Sequence, residues 1–243
     1  MTSAVGRRVR NIRRGAGTPA LTDLTPLDQM TDVKIWLRPD VAQVTLESGL
    51  VSAIVNRGTL ADVSQGTSSL QATYDESNAA FNDKPIMHFD HDLYVLPDLS
   101  SLTAFELFIV WRRDVDPPVG AETGAWSFGT SGSTQHVPFT DGSAYLDDGS
   151  TTRINAIAMG DTSPVQAYHV VSTAAEWTVR QDDSVLHTTA TNTVGCHATP
   201  RLGAAFTNNW LSGDVADLIV CGTEQSAAAR AWFNATYIAR YGL

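Results

Sequence analysis

Short extended segments separated by turn residues recur along almost the whole chain, and this pattern most constrains the fold. Roughly a dozen segments rich in β-branched and aromatic residues follow one another from residue 33 to residue 221. No strand–helix–strand alternation interrupts them, which disfavours a parallel α/β fold. At 243 residues the chain is long enough to form one all-β sandwich with a substantial core.

Two regions in the middle of the chain predict a central strand and a hairpin. Residues 103–111 alternate at first and then become continuously apolar, as expected of a central core strand. Residues 176–180 and 185–189 flank the sequence Gln-Asp-Asp-Ser, whose acids and serine favour turn geometry. We therefore predict a hairpin at this point.

The C-terminus predicts a strand followed by one helix. Residues 214–221 form a short apolar segment, and residues 224–241 are rich in alanine with a partial three-to-four apolar spacing. Thr223 is the preferred N-cap and Ser226 a weaker alternative, while Gly242 stands where a C-terminal cap belongs. The helix should pack one face on a sheet.

Several motifs, in this order, resemble the concanavalin A-like (laminin-G-like) jelly-roll superfamily, of the kind found in bacteriophage structural proteins. The resemblance spans residues 33–243 and rests on residues 36–40, 86–93, 168–182, 202–203 and 211–220, and on the helix ending at residues 241–243. His91 and Asp183 stand where the family more often has glycine. The resemblance implies an antiparallel jelly-roll β-sandwich with a short C-terminal helix and an extended N-terminal arm.

The N-terminal residues 1–31 are predicted to form a basic arm or linker, with the jelly-roll domain at residues 32–243. The first fourteen residues contain no acid, although the chain as a whole has a formal net charge of −10. An acidic body argues against nucleic-acid binding, because phosphate is repelled. We predict that the arm binds an acidic protein neighbour through its arginines, which are Arg7, Arg8, Arg10, Arg13 and Arg14.

The sequence offers no recognisable catalytic or metal-binding motif. The glucanase branch of the superfamily uses carboxylates on alternate residues of one strand, whereas Glu106 stands alone on its strand. The six histidines are scattered without the spacing of a metal triad. We predict no enzymatic activity and no cofactor. Calcium stays open as a weaker alternative at two aspartate-rich clusters, which are Asp90, His91, Asp92 and Asp98, and Asp141, Asp147 and Asp148.

Two tryptophans and two cysteines complete the candidate residues. Trp126 and Trp210 border predicted loops, so either ring is a candidate platform for a sugar, although packing in a core or interface is favoured for both. Cys196 and Cys221 are predicted to be buried free thiols rather than one disulfide. No apolar run reaches the length of a membrane helix.

These observations predict a non-enzymatic structural component of a bacteriophage virion. Capsid decoration is the first choice and a tail-associated protein is second. The arm would anchor the domain to capsid or tail subunits, with a homo-oligomer expected in the particle. The alternative is a carbohydrate-binding, lectin-like module on a phage tail or bacterial surface, with a host glycan as its ligand.

Overall fold

The computed structural model describes residues 25–133, 135–205 and 209–243, which contain sixteen β-strands, two α-helices and two short 3₁₀ helices, joined by loops. The α-helices are α1 (Pro26–Gln29) and α2 (Ala227–Tyr241). The strands are β1 (Val33–Leu37), β2 (Val44–Glu47), β3 (Leu50–Ile54), β4 (Val63–Ser64), β5 (Thr73–Asn78), β6 (Lys84–Asp90), β7 (Tyr94–Val95), β8 (Phe105–Arg113), β9 (Trp126–Gly129), β10 (Ala144–Leu146), β11 (Ile154–Ile157), β12 (Gln166–Ser172), β13 (Trp177–Gln181), β14 (Ser184–Thr189), β15 (Cys196–Leu202) and β16 (Ser212–Cys221).

One large antiparallel sheet and two small ones contain all of these strands. The large sheet has eleven strands, in the order β14-β13-β12-β8-β16-β6-β5-β3-β2, with β1 added to β16 and β4 added to β3. The small sheets are β7-β15-β9 and β10-β11. The structure therefore confirms the predicted all-β sandwich with a short C-terminal helix. β8 lies between β12 and β16, as the sequence predicted for a central strand.

The large sheet separates two apolar layers because successive side chains on a strand point to opposite faces. On β8, Leu107, Ile109 and Trp111 join the core shared with the small sheets. Phe108 and Val110 join a second core beneath α2. Every one of these side chains is buried, which explains why the sequence of β8 is continuously apolar.

Helix α2 begins three residues later than the sequence predicted. The hydroxyl of Ser226, not that of Thr223, caps the helix by accepting a hydrogen bond from the Ala229 amide at 3.1 Å. The preceding residue is held outside the helix, because the Gln225 amide donates to Glu106 Oε2 at 2.7 Å. Gly242 ends the helix in the left-handed region, at φ +74°, as predicted.

The residues just before β1 pack against the start of α2. Thr25 and Asp28 form a capping box around α1, and Met30 is buried. The Thr31 amide donates to Gln225 Oε1 at 2.8 Å. The five arginines of the predicted arm lie outside the described residues, so their role stays a prediction.

Two local predictions are confirmed by the described residues. The β13–β14 hairpin turns at Asp182 and Asp183, whose φ angles of +48° and +67° suit the right-handed twist of paired strands. Cys196 and Cys221 are free and buried, and burial raises the pKa of both thiols.

Within the described ranges, neither helix has the length and hydrophobicity required to cross a bilayer.

Candidate functional site

A cleft of about 360 Å³ lies beside the last residue of β8 and the first residue of β16. One wall is the β8–β9 loop, including Pro117, Pro118 and Glu122. The other wall is formed by Trp210 and by His91, which follows β6. The centroids of the Trp210 and His91 rings lie 5.9 Å apart, and the angle between the two ring planes is 46°. Trp210 is partly exposed. The cleft thus combines an aromatic wall with polar groups at its rim.

The buried guanidinium of Arg113 holds the β8–β9 loop in place. Arg113 is only 2% exposed, and its Nη2 donates to the carbonyl oxygens of Gly124, at 2.9 Å, and Val137. Its Nε is buried and has no hydrogen-bond partner among the described residues. Burial lowers the pKa of Arg113 to about 10, against the opposing influence of Asp116 and Asp114. Arg113 therefore ties the end of the β8–β9 loop, at Gly124, and the β9–β10 loop, at Val137, to the end of β8.

Acidic groups give the rim of the cleft a negative character. Glu122 is half exposed, and its Oε1 lies 3.4 Å from His136 Nε2. Burial lowers the pKa of His136, so this imidazole tends to be neutral and does not cancel the charge of Glu122. Asp114 adds a second carboxylate beside Ser212, whose hydroxyl donates to Asp114 Oδ2 at 2.8 Å.

A group of metal-ligating side chains adjoins the cleft on the large sheet. His88 of β6 and Asp214 of β16 are directly paired in the strand register, and Asp114 follows β8. His88 Nδ1 lies 2.9 Å from Asp214 Oδ1 and 3.7 Å from Asp114 Oδ1. A hydrogen bond to the Asp214 carboxylate raises the pKa of His88, against the effect of partial burial. The spacing of residues in the sequence could not predict this group, because His88 and Asp214 lie on two different strands and Asp114 follows a third.

The two tryptophans proposed as sugar platforms have different surroundings. Trp126 has no exposed surface, and its Nε1 donates to Asp148 Oδ1 at 3.1 Å inside the core. Trp210 lines the cleft beside His91. Of the two rings, only that of Trp210 presents a surface to a ligand.

Four carboxylates in the two aspartate clusters considered for calcium accept hydrogen bonds within the protein. Asp92 Oδ2 accepts from the Asp90 amide, and Asp98 Oδ1 accepts from the Ser100 amide. Asp141 binds the Ser143 amide and the Tyr145 hydroxyl. Asp148 is fully buried and accepts from the Tyr168 hydroxyl at 2.6 Å. These carboxylates therefore stabilise turns or, in the case of Asp148, accept hydrogen bonds within the core.

Comparisons with known proteins show similarity at the level of the fold. No protein-family model matches the chain, and no curated protein matches its sequence. Domain 4 of AbnA, an extracellular arabinanase from Geobacillus stearothermophilus solved with arabinotriose, matches with a TM-score of 0.56 and 11% identity, over 88% of this chain and 99% of that one. An arabinofuranosidase, in complex with arabinofuranosyl-xylobiose, matches with a TM-score of 0.55 and 12% identity, over 79% of this chain and 51% of the enzyme. A Trypanosoma rangeli sialidase matches with a TM-score of 0.55 and 9% identity, over 79% of this chain and 32% of the enzyme.

Two predictions from the sequence are corrected by these comparisons. The assignment to a bacteriophage virion and the classification as a non-enzymatic protein are both wrong, because the fold is shared with an arabinanase domain, an arabinofuranosidase and a sialidase. The motif at residues 211–220 forms strand β16 and its approach, so it reflects the fold rather than a virion. The chain has the jelly-roll-like β-sandwich fold of domains found in glycoside hydrolases and sialidases.

Proposed function

We propose that this chain is a carbohydrate-binding domain and that the cleft beside Trp210 binds an uncharged oligosaccharide. The observation that carries the proposal is the partly exposed Trp210 ring in a cleft with polar rim groups. A sugar ring has apolar C–H faces that stack on an aromatic ring, while its hydroxyls pair with surrounding polar groups. Trp210 supplies the stacking face, and Glu122, Thr123 and Ser212 supply hydrogen-bonding groups.

The charge around the cleft favours a neutral ligand over an acidic one. Asp114 and Glu122 are charge-assisted acceptors for sugar hydroxyls and repel the carboxylate of an acidic sugar. The net charge of −10 adds to that repulsion. The fold supports the proposal, since this chain aligns with almost the full length of an arabinanase domain whose structure contains arabinotriose.

Isothermal titration calorimetry with arabinotriose, xylotriose and a sialylated trisaccharide tests the proposal. We expect at least one neutral oligosaccharide to bind and the sialylated one to bind more weakly or not at all. Trp210→Ala should weaken binding at least about ten-fold, which corresponds to about 1.4 kcal/mol. Trp210→Phe retains a stacking ring and should retain most of the affinity.

The matched control is Val185→Ala, which shortens another exposed apolar side chain, on the edge strand β14. It should leave the affinity unchanged. Binding by Trp210→Ala at the affinity of the unaltered protein would refute the proposed cleft. Reducing-end release measured on the same mixtures distinguishes binding alone from cleavage, which requires two carboxylates flanking the scissile bond.

A further inference from the structure

We propose that His88, Asp114 and Asp214 form a binding site for one divalent transition-metal ion, of the class of Zn²⁺ or Mn²⁺. The site adjoins the proposed sugar cleft and shares Asp114 and Ser212 with its rim, but metal binding there does not require a sugar. One ligand atom from each of the three side chains lies within 4.8 Å of the other two. An imidazole and two carboxylates are ligands that such ions accept.

The first argument is the spacing of the inner ligand atoms. Tetrahedral coordination with bonds of about 2.0–2.1 Å places two ligand atoms about 3.3 Å apart. His88 Nδ1 lies 2.9 Å from Asp214 Oδ1 and 3.7 Å from Asp114 Oδ1, so these separations lie on either side of that value. The His88 and Asp114 side chains are 38% and 34% exposed, so neither is held by close packing on every side when a metal ion adjusts these distances.

The second argument is the orientation of the two carboxylates. Arg112 Nε donates to Asp214 Oδ2 at 2.7 Å, and Ser212 Oγ donates to Asp114 Oδ2 at 2.8 Å. The outer oxygen of each carboxylate is therefore held by a protein donor, while both Oδ1 atoms lie near the same imidazole nitrogen. Metal-binding carboxylates are fixed in this way by hydrogen bonds from outside the coordination sphere.

The third argument is charge. Asp214 is almost completely buried, and Asp114 and Asp90 add further negative charge around His88. Among the described residues, Arg112 is the one permanent cation that pairs with Asp214, and the other partner, His88, is charged only when protonated. The two carboxylates at the site thus exceed its one arginine, and either a proton on His88 or a bound dication supplies the missing positive charge.

The ligand set also selects the class of metal ion. Calcium takes six to eight oxygen ligands, whereas this site contributes one nitrogen and two carboxylates and is open to solvent on the side of His88 and Asp114. Such an open three-ligand site suits zinc or manganese, with water completing the coordination.

The test is metal binding by the full chain without a purification tag, after treatment with a chelator. Titration calorimetry with ZnCl₂, MnCl₂ and CaCl₂ separately, together with elemental analysis after gel filtration, should show one equivalent of Zn²⁺ or Mn²⁺ and much weaker binding of Ca²⁺. His88→Gln and Asp114→Asn should each weaken binding at least about ten-fold. Both side chains are partly exposed, so these variants should fold, and urea midpoints matching the unaltered protein verify this.

His91→Gln is the matched control, because His91 Nδ1 also lies 2.9 Å from an aspartate oxygen, that of Asp90. It lies outside the triad and should bind metal as the unaltered protein does. The proposal is overturned if neither Zn²⁺ nor Mn²⁺ binds at one equivalent. It is equally overturned if His88→Gln and Asp114→Asn bind as tightly as His91→Gln. These readouts contain no sugar, so their failure does not bear on the proposed cleft.

Discussion

Arg38 and Asp217 form a buried ion pair beneath helix α2, with Arg38 Nε 2.6 Å from Asp217 Oδ2. A bulge in β16 between Val215 and Asp217 directs the carboxylate to the helix side of the sheet. Tyr241 of α2 donates to the same carboxylate at 3.0 Å, and Arg38 Nη2 donates to the Tyr237 hydroxyl at 2.9 Å. The pair therefore links β1, β16 and the helix.

Replacing Arg38 should destabilise the fold strongly. Burial disfavours the charged guanidinium, but Asp217 outweighs this and raises the pKa of Arg38. Arg38→Met leaves a buried carboxylate without its cation, which costs about 3–5 kcal/mol of unfolding free energy. Urea denaturation measures this loss.

Arg57→Met is the comparison for that experiment, since the guanidinium groups of Arg38 and Arg57 both lie over the Trp36 ring, at 5.2 Å and 4.7 Å from its centroid. Arg57 pairs with Asp40 instead of Asp217. Its ion pair is more exposed to solvent, so the loss should stay near 1 kcal/mol or less. Equal losses in the two variants would show that Asp217 does not depend on Arg38.

Trp126 should be a stability residue and not a sugar platform. Its ring packs edge-on against Trp111, at 4.9 Å between centroids, in the core. Trp126→Ala removes a large buried side chain and should cost about 3–5 kcal/mol. Trp210→Ala removes a partly exposed ring and should cost less than half as much. Thermal and urea unfolding of both variants check this ranking, which a similar loss in each would contradict.

Glycine at position 149 should be required for packing as well as for backbone conformation. Gly149 has φ +64°, and a Cβ there would lie 2.5 Å from the Phe105 ring. Gly160 has a similar φ, +71°, but a Cβ would meet nothing within 4 Å. Both alanine variants carry the left-handed backbone cost of about 1–2 kcal/mol. Gly149→Ala should lose about 1–3 kcal/mol more through overpacking, measured as the difference in unfolding free energy. No difference between the variants would mean that Phe105 moves aside freely.

The buried Asp148 should make stability depend on pH. Burial raises the pKa of Asp148 to about 7, far above the value of about 3.9 in an unfolded chain. Between these values the folded protein holds a proton that the unfolded chain has released, so stability falls as pH rises from about 4 to about 7. Above that window the contribution stays constant.

Asp148→Asn removes this titration. The unfolding free energy of the unaltered protein minus that of the variant should therefore decrease between pH 5 and pH 7, with a slope of up to about 1.4 kcal/mol per pH unit. Asp98→Asn is the control, because the hydrogen bonds from Ser100 lower the pKa of Asp98 and move its titration below this window. A pH-independent difference for Asp148→Asn would show that this carboxyl ionises normally in the fold.

Much of the architecture could be predicted from local sequence. The apolar run of β8, the Asp-Asp turn between β13 and β14 and the glycine cap of α2 each depend on residues close together in the chain. Contacts between distant residues could not be predicted in this way. Glu106, which stands alone on its strand, binds His169 at 2.7 Å and Arg230 at 2.8 Å in the structure.

The sequence by itself determined the class of fold, because period-two hydrophobicity and turn residues specify strands that bury a face. The tertiary structure decided which side chains meet. Strand pairing brought His88 beside Asp214, buried Trp126 and left Trp210 in a cleft. Those outcomes depend on register and layer order, which the spacing of residues along one chain does not encode.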